Sequence, residues 1–285
     1  MKPELVVDYK LAIGENPLWH PYEKKLYWID IQTACIFRYD PVTGDHEQVY
    51  KGDVVGGFTI QVNGALLLFM SKGAIKVWKA GELTSIIGEI PDERETRFND
   101  VIADPEGRVF CGTMPTNDRP GRLYRLELDG SLKKILDGIG CSNGMGFTPD
   151  RKHMYYTDSS KREIYLFDYD QSNGNIENKR VFVTIQENEG VPDGMTVDRD
   201  GYVWSARWDG GCIVRYAPDG KENLRIEFPA KKVSSVTFGG DDYMDIYVTT
   251  AGGDKRDKEG YGAGALFRLN LGIQGVPEFM SKICL

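Results

Sequence analysis

Short hydrophobic runs, most of them with an aromatic residue in second place, recur at nearly even intervals along the chain. The second residues of the six strongest runs are Tyr27, Leu68, Phe110, Tyr155, Trp204 and Tyr247. Successive members of this series lie 41 to 49 residues apart. A period of roughly 40–50 residues is typical of β-propeller blades, in which each repeat forms four antiparallel strands. The spacing therefore predicts six blades.

Turn signals and further alternating runs account for four strands in each repeat. A tight-turn sequence such as residues 105–107 precedes most of the six runs, and a third run such as residues 36–39 follows each of them. A weaker polar run then supplies a fourth, outer strand. A β-sandwich does not need six near-equal periods, and no helical pattern separates the strands as a parallel βαβ fold requires. We predict an all-β, six-bladed β-propeller with four-stranded blades and a central axial site, formed by a single domain over residues 1–285.

Composition agrees with turn-rich β structure and narrows the classes of partner. Glycine accounts for 33 of the 285 residues and the formal net charge is −8, so we expect no nucleic-acid partner. The longest apolar run, residues 65–70, is far shorter than the roughly 20 residues of a membrane-spanning helix. The five cysteines show no disulfide framework and the first residues show no secretory signal pattern. We expect a cytoplasmic protein with free thiols and no membrane contact, and the sequence leaves its oligomeric state open.

One position recurs in every repeat where the innermost strand begins. Counting back 11 or 12 residues from each of the six run positions gives Glu15, Gly56, Asn99, Asn143, Asp193 and Ser235. The innermost strands of a propeller line its central channel, so these positions should face one axial pocket. A lone Asn-Gly or Asp-Gly is ordinarily a turn former. Recurrence at one phase of the repeat favours a shared functional site instead.

The axial positions include residues that could hold a metal ion. Glu15 and Asp193 would place two carboxylates in one narrow pocket, where like charges raise each other's pKa unless a cation or a proton compensates them. With Asn143 they form an all-oxygen set, which suits Ca²⁺, Mg²⁺ or Mn²⁺ better than Zn²⁺. Arg97 lies two residues before Asn99, a spacing that puts both on one face of an extended strand. These two are candidates for binding an anionic or hydroxyl-rich ligand.

A second hydrolase pattern occurs in the same region but lacks the required context. Residues 140–144 (Gly-Cys-Ser-Asn-Gly) match the Gly-x-Ser-x-Gly nucleophile elbow, in which the serine lies between a strand and a helix. Here the residues after Met145 lead into a turn and another strand. We therefore do not expect Ser142 to be a nucleophile.

Four short motifs follow one another in an order and spacing that match a known family. They are Gly14-Glu15-Asn16-Pro17, Arg97-Phe98-Asn99-Asp100, Ser142-Asn143-Gly144 and Pro192-Asp193-Gly194-Met195. With further similarity towards the C-terminus, nearly the whole chain resembles the SMP-30/gluconolactonase/regucalcin family. The resemblance implies a six-bladed propeller and a metal-dependent hydrolase. Many members of this family act on sugar lactones. The resemblance also implies that Glu15, Asn143 and Asp193 are metal ligands, that Asp193 is the general base, and that Arg97 and Asn99 contact the substrate.

The resemblance is weaker at residues 114–121, where several relatives carry an acidic substrate contact. Asn117 and Asp118 are the nearest candidates here, so the sugar preference stays open.

The working hypothesis is a hydrolase that opens a sugar lactone with a metal-activated water, with Asp193 as ligand and general base. Ca²⁺ is the first expectation for the metal, and Mg²⁺, Mn²⁺ and Zn²⁺ are alternatives. Two other functions stay open: a non-catalytic propeller that binds calcium or another ligand, and a metal-dependent phosphotriesterase-like ester hydrolase on the same scaffold.

Overall fold

Six four-stranded antiparallel sheets stand in a ring in the structure, a computed structural model that describes residues 2–284. These residues contain 24 strands. The innermost strand of each sheet contacts the innermost strands of the two neighbouring sheets, so six inner strands surround one central axis. The prediction of an all-β, six-bladed propeller with four-stranded blades is confirmed.

The strands of the first three blades follow the chain order. The first strand of the chain is β1 (Glu4–Asp8). The first blade consists of β2 (Gly14–His20), β3 (Lys25–Asp30), β4 (Cys35–Tyr39) and β5 (His46–Lys51). The second consists of β6 (Val55–Ile60), β7 (Leu66–Met70), β8 (Ile75–Lys79) and β9 (Glu82–Ile87). The third consists of β10 (Phe98–Ala103), β11 (Val109–Thr113), β12 (Gly121–Leu126) and β13 (Leu132–Ile139).

The second half of the chain repeats this arrangement. The fourth blade consists of β14 (Ser142–Phe147), β15 (His153–Asp158), β16 (Glu163–Tyr169) and β17 (Ile176–Thr184). The fifth consists of β18 (Val191–Val197), β19 (Val203–Trp208), β20 (Cys212–Tyr216) and β21 (Glu222–Glu227). The sixth contains β22 (Val233–Gly239), β23 (Asp245–Thr250) and β24 (Ala265–Asn270).

Helical structure is confined to single turns between strands. The 3₁₀ turns are Pro91–Glu93, Ser159–Lys161, Glu187–Glu189 and Gly253–Lys255, and the α-helical turn α1 is Arg256–Glu259. Among residues 2–284 no helix has the length and apolar character needed to cross a membrane.

The sixth blade is completed by the N-terminal strand. β1 pairs antiparallel with β24, with Glu4 opposite Arg268 and Asp8 opposite Ala265. The sequence pattern predicts that the outer strand of every blade is the polar run that follows its third strand. This prediction is correct for the first five blades and wrong for the sixth, whose outer strand is β1. Pairing the two ends of the chain in one sheet closes the ring.

The hydrophobic core lies between neighbouring blades. Each of six buried clusters combines side chains of two adjacent blades; for example, Tyr27 and Ile29 of the first blade pack with Phe58 and Leu68 of the second. The six run positions of the sequence pattern all lie in these interfaces, and none is more than 2% exposed. Burying each such side chain contributes roughly 1.5–3 kcal/mol, so the repeating pattern that predicts the blades also holds them together.

The residues after β24, here called the C-terminal segment (residues 271–284), run across one end of the axis. The backbone N–H of Gly275 donates to the carbonyl of Tyr243 at 2.8 Å, and that of Lys282 donates to the carbonyl of Gly107 at 2.9 Å. Ser281 forms a parallel bridge with Gln61, directly after β6. The segment thus covers the end at which the inner strands finish, called the lower end; the upper end is where they begin.

Candidate active site

All five site residues predicted from the sequence line one cavity at the upper end of the axis. Of the six repeat positions expected to share one pocket, Gly56 and Ser235 do not line this cavity, and Ser235 lines a smaller cavity at the lower end. The upper cavity has a volume of about 290 Å³. Its polar lining consists of Glu15, Arg97, Asn99, Cys141, Asn143, Ser159 and Asp193. Its apolar lining, here called the apolar rim, consists of Ile13, Ile31, Met114, Val191 and Trp208. The rim residues lie at or next to the upper ends of strands in the first, third and fifth blades.

A backbone irregularity at the same level of every blade accompanies the polar residues. The pairing of each inner strand with its neighbour shifts register at residues 15–18, 55–57, 98–101, 143–145, 192–195 and 233–235. Such bulges bend a strand and re-aim its side chains. At Gly144 a Cβ atom would lie only 2.6 Å from the carbonyl oxygen of Asp193, so glycine is what lets β14 and β18 approach this closely.

Asp193 is buried and Glu15 is half-buried, and their carboxyl groups repel each other. Burial raises the pKa of Glu15 well above its usual range, and the charges of Asp193 and Asp100 raise it further. Burial also raises the pKa of Asp193 well above its usual range, and Asp100 adds to this, whereas Asn143 and Arg97 act in the opposite direction. Three acidic groups therefore lie close together in a region of low dielectric constant.

Arg97 and Asn99 form a hydrogen-bonded pair on the wall of the cavity. Nη1 of Arg97 donates to Oδ1 of Asn99 at 2.6 Å and to the carbonyl of Phe98 at 2.9 Å. Nδ2 of Asn99 donates to the carbonyl of Ser142 at 2.8 Å. Asn99 therefore connects the third blade to the fourth and holds the guanidinium group in place. Burial lowers the pKa of Arg97, which the nearby acidic groups partly offset.

The chemistry of the polar lining fits a divalent cation. Within residues 2–284, no group of three or more His, Cys, Asp or Glu side chains is arranged to hold a metal ion, so the candidate set is a mixed one of two carboxylates and the Asn143 amide. These are oxygen donors of the kind that hard cations prefer. A cation among them would also offset the repulsion that raises the pKa of Glu15 and Asp193.

Sequence reasoning missed Ser159 and the apolar rim, and it assigned no role to Asp100, which does not line this cavity but raises the pKa of Glu15 and Asp193 by its charge. Asp100 directly follows Asn99 in the bulge of β10, and burial raises its pKa to about 6; its place beside an axial residue was a usable signal. Ser159 belongs to a 3₁₀ turn after β15, and no spacing rule connects it to Asn143. Trp208 ends β19, and its position in the cavity wall depends on how the blades meet.

The segment 114–121 contributes only its first residue to the cavity. Met114 belongs to the apolar rim, whereas Asn117 and Asp118 are exposed and do not line the cavity. The position of an acidic substrate contact is therefore not filled by either candidate.

Ser142 of the Gly-x-Ser-x-Gly stretch is fully buried in β14 and accepts a hydrogen bond from the hydroxyl of Tyr156 at 2.8 Å. It does not line the cavity. This serine bonds to a neighbouring strand and is not presented to a substrate.

Several known proteins are similar to this chain in sequence and in fold. Pentonolactonase XacC of Haloferax volcanii is 47% identical over 98% of this chain and 97% of its own length. Regucalcin of Gallus gallus is 33% identical over 98% of each chain. The solved structure of a luciferin-regenerating enzyme superposes with a TM-score of 0.89 at 27% identity, covering 99% of this chain and 100% of that one.

The match to a family model places these individual similarities in one group. The model describes the SMP-30/gluconolactonase/LRE-like region and matches residues 13–252, which include all five predicted site residues. With nearly complete coverage by relatives above 30% identity, the chain belongs to the SMP-30/gluconolactonase/LRE-like family.

Proposed function

We propose that this protein is a divalent-metal-dependent hydrolase that opens a sugar lactone, a cyclic carboxylic ester. The observation that carries the proposal is the pair of mutually repelling carboxyl groups of half-buried Glu15 and buried Asp193 in a cavity shared with Asn143 and Arg97. The similarity to a pentonolactonase and to a gluconolactonase family model supports the same reaction.

Glu15, Asn143 and Asp193 would hold the cation, for which Ca²⁺ is our first candidate and Mg²⁺, Mn²⁺ and Zn²⁺ are alternatives. When bound, such a cation polarises an ester carbonyl and lowers the pKa of water. Held there, its positive charge would favour the ionised forms of Glu15 and Asp193, because it would offset the effects that raise their pKa.

Asp193 is the general base in this proposal. Its carboxylate takes a proton from the attacking water as the oxygen of that water bonds to the lactone carbonyl carbon. The bond between that carbon and the ring oxygen then breaks, and Asp193 returns the proton to the ring oxygen, which becomes a hydroxyl group. The product is the open-chain hydroxy acid, and no serine nucleophile is required.

Arg97 and Asn99 position the substrate in this scheme. The guanidinium group lines the cavity and can donate to the lactone carbonyl or to ring hydroxyls. Asn99 accepts from Arg97 and donates to the backbone of the fourth blade, so it orients the guanidinium group towards the substrate.

The size and lining of the cavity favour a monocyclic lactone. A volume of about 290 Å³ lies just below the roughly 300–1,000 Å³ range of ligand pockets. Apart from the indole N–H of Trp208, the side chains of the apolar rim provide no strong hydrogen-bond partners for additional hydroxyl groups, a feature that suits a five-carbon sugar lactone better than a larger one.

The direct test is a panel of aldonolactones assayed by acid release, with each of the four metals and after chelation. We expect turnover that is lost with excess chelator and restored by one of the metals. Full activity in excess chelator would exclude the metal role. Metal binding without lactone turnover would favour the non-catalytic propeller, and turnover of organophosphates in preference to lactones would favour the phosphotriesterase-like alternative.

A further inference from the structure

We propose that Ser159 is a positioning residue that sets the orientation of the Asn143 side-chain amide, so that its oxygen and not its nitrogen is offered to the cation. This inference rests on the proposed function, because it assumes that Asn143 is a metal ligand. The two ends of an amide side chain have the same shape, but only the oxygen can bind a cation. A site that uses asparagine therefore needs something that distinguishes the two ends.

The hydroxyl group of Ser159 makes that distinction because its single proton is already donated in another hydrogen bond. Oγ of Ser159 donates to the carbonyl oxygen of Pro192 at 2.7 Å. Towards Asn143 the same oxygen can then only accept a hydrogen bond, and Nδ2 of Asn143 donates to it at 3.0 Å. A flipped amide would bring its oxygen against the Ser159 oxygen with no proton between them.

The surroundings hold this arrangement in place. Ser159 and Asn143 are each only 7% exposed, so bulk water does not replace the bond between them. The backbone N–H of Ser159 donates to the carbonyl of Cys141 at 3.1 Å, which ties its turn to the residue before β14. On the other side of the amide, Oδ1 receives only a long contact of 3.4 Å from Nδ2 of Asn99, so the oxygen keeps capacity for a ligand.

The same hydroxyl group connects two of the proposed ligands across a blade boundary. Asn143 belongs to the fourth blade, and Pro192 directly precedes Asp193 in the fifth. Partners that orient metal ligands in this way are commonly worth about 10–100-fold in metal affinity. Removing the Ser159 hydroxyl should therefore weaken cation binding before it changes the fold.

The test is calorimetric Ca²⁺ titration of the intact protein and of Ser159→Ala, with Ser160→Ala as the matched control. Ser160 is the next residue in the same turn but is exposed. We expect Ser159→Ala to weaken Ca²⁺ binding about 10-fold or more and Ser160→Ala to leave it unchanged. If Ser159→Ala does not fold, Ser159→Cys gives the same comparison, because its thiol keeps a similar size but accepts hydrogen bonds weakly.

A second comparison, made in the Asn143→Asp variant, tests whether Ser159 orients the side chain at position 143 or only supports the structure of the site. In Asn143→Asp both ends of the side chain are oxygens, so orientation no longer matters, and adding Ser159→Ala should weaken binding by only about 2-fold. An equal loss in both backgrounds, or no loss with native Asn143, would overturn the role of Ser159 while leaving the metal site intact. Absence of divalent-cation binding by the unaltered protein would instead overturn the proposed metal site, and this inference with it.

Discussion

The two ends of the central axis are lined by the same six inner strands but treat their buried acidic groups differently. At the upper end, Glu15 and Asp193 face a cavity of about 290 Å³ in which their repulsion is only partly offset. At the lower end, the C-terminal segment leaves a cavity of about 40 Å³. Glu278 of that segment reaches into it and accepts a hydrogen bond from Oγ1 of Thr196 at 3.0 Å.

The difference shows how one ring of repeated blades can hold the candidate reactive groups at one end of its axis while the other end is closed. Burial raises the pKa of Glu278 to about 7, so this group can be neutral in the folded protein. At the upper end, protonation of Glu15 and Asp193 would relieve their repulsion but would remove the charges that a cation needs, so a bound cation is the alternative to protonation there. Four predictions test this contrast between the two ends.

The largest effect is expected for Asp193→Asn at the upper end. The change removes the proposed base and one negative ligand, so lactone turnover should fall at least about 10³-fold. The metal-free protein should at the same time become more stable to urea at neutral pH, because a buried repulsion is lost. Asp200→Asn, an exposed change in the same blade, should alter neither quantity. Turnover above about a tenth of the original would contradict the role of Asp193.

A smaller loss of activity is expected for Arg97→Lys. Lysine keeps the charge but cannot reproduce the planar group that bonds to Asn99 and to the carbonyl of Phe98. We expect kcat/KM to fall about 10–100-fold, mainly through KM, in steady-state assays. Arg94→Lys provides the control, because Arg94 is exposed and pairs with Glu89. An unchanged KM would remove Arg97 from the substrate-binding group.

At the lower end, Glu278→Gln should change the pH dependence of stability and not activity. The folded pKa of about 7 is above the ordinary value of 4.5, so the stabilisation by the protonated form is complete below about pH 4.5 and is lost as the pH rises through 7. Asp100, whose pKa is raised to about 6, lines the same cavity and adds a loss at slightly lower pH.

Glutamine keeps the acceptor for Thr196 but cannot ionise. Urea unfolding should therefore show Glu278→Gln to be more stable than the unaltered protein by on the order of 3 kcal/mol at pH 8 and equally stable at pH 4. A constant difference across this pH range would show that ionisation of Glu278 is not the cause.

The smallest effect is expected for Gln61→Ala, which weakens the attachment of the C-terminal segment. The Gln61 side chain donates to the carbonyl of Ile283 and accepts from its N–H, both at 3.1 Å. Loss of this pair should cost about 1 kcal/mol of unfolding free energy and speed hydrogen exchange at Ile283, with kcat unchanged. A fall in kcat would mean that closure of the lower end affects the upper cavity.

Much of the fold could be predicted because its core repeats with the sequence. Tyr27, Leu68 and the four equivalent positions occupy the blade interfaces. Because these positions recur at a nearly constant spacing, assigning one of them to an interface assigns all six. The site followed from the same period, since Glu15, Asn143 and Asp193 share one phase of it and all line the cavity. Their chemical roles remain predictions.

Contacts that do not follow the repeat could not be predicted. Ser159 and Pro192 are 33 residues apart, and Thr196 and Glu278 are 82 residues apart. In neither pair do the two residues occupy equivalent positions in their repeats. The pairing of β1 with β24 likewise joins opposite ends of the chain.

The sequence by itself determined the number of blades and four of the six positions expected at the shared cavity, because burial between blades imposes a fixed hydrophobic period on each repeat. Only the tertiary structure decided which end of the axis is open and which is closed. It also decided how the Asn143 amide is oriented and that an apolar rim surrounds the charged groups. These features depend on non-repeating segments that meet across blades, where a single hydrogen bond sets the direction of a side chain.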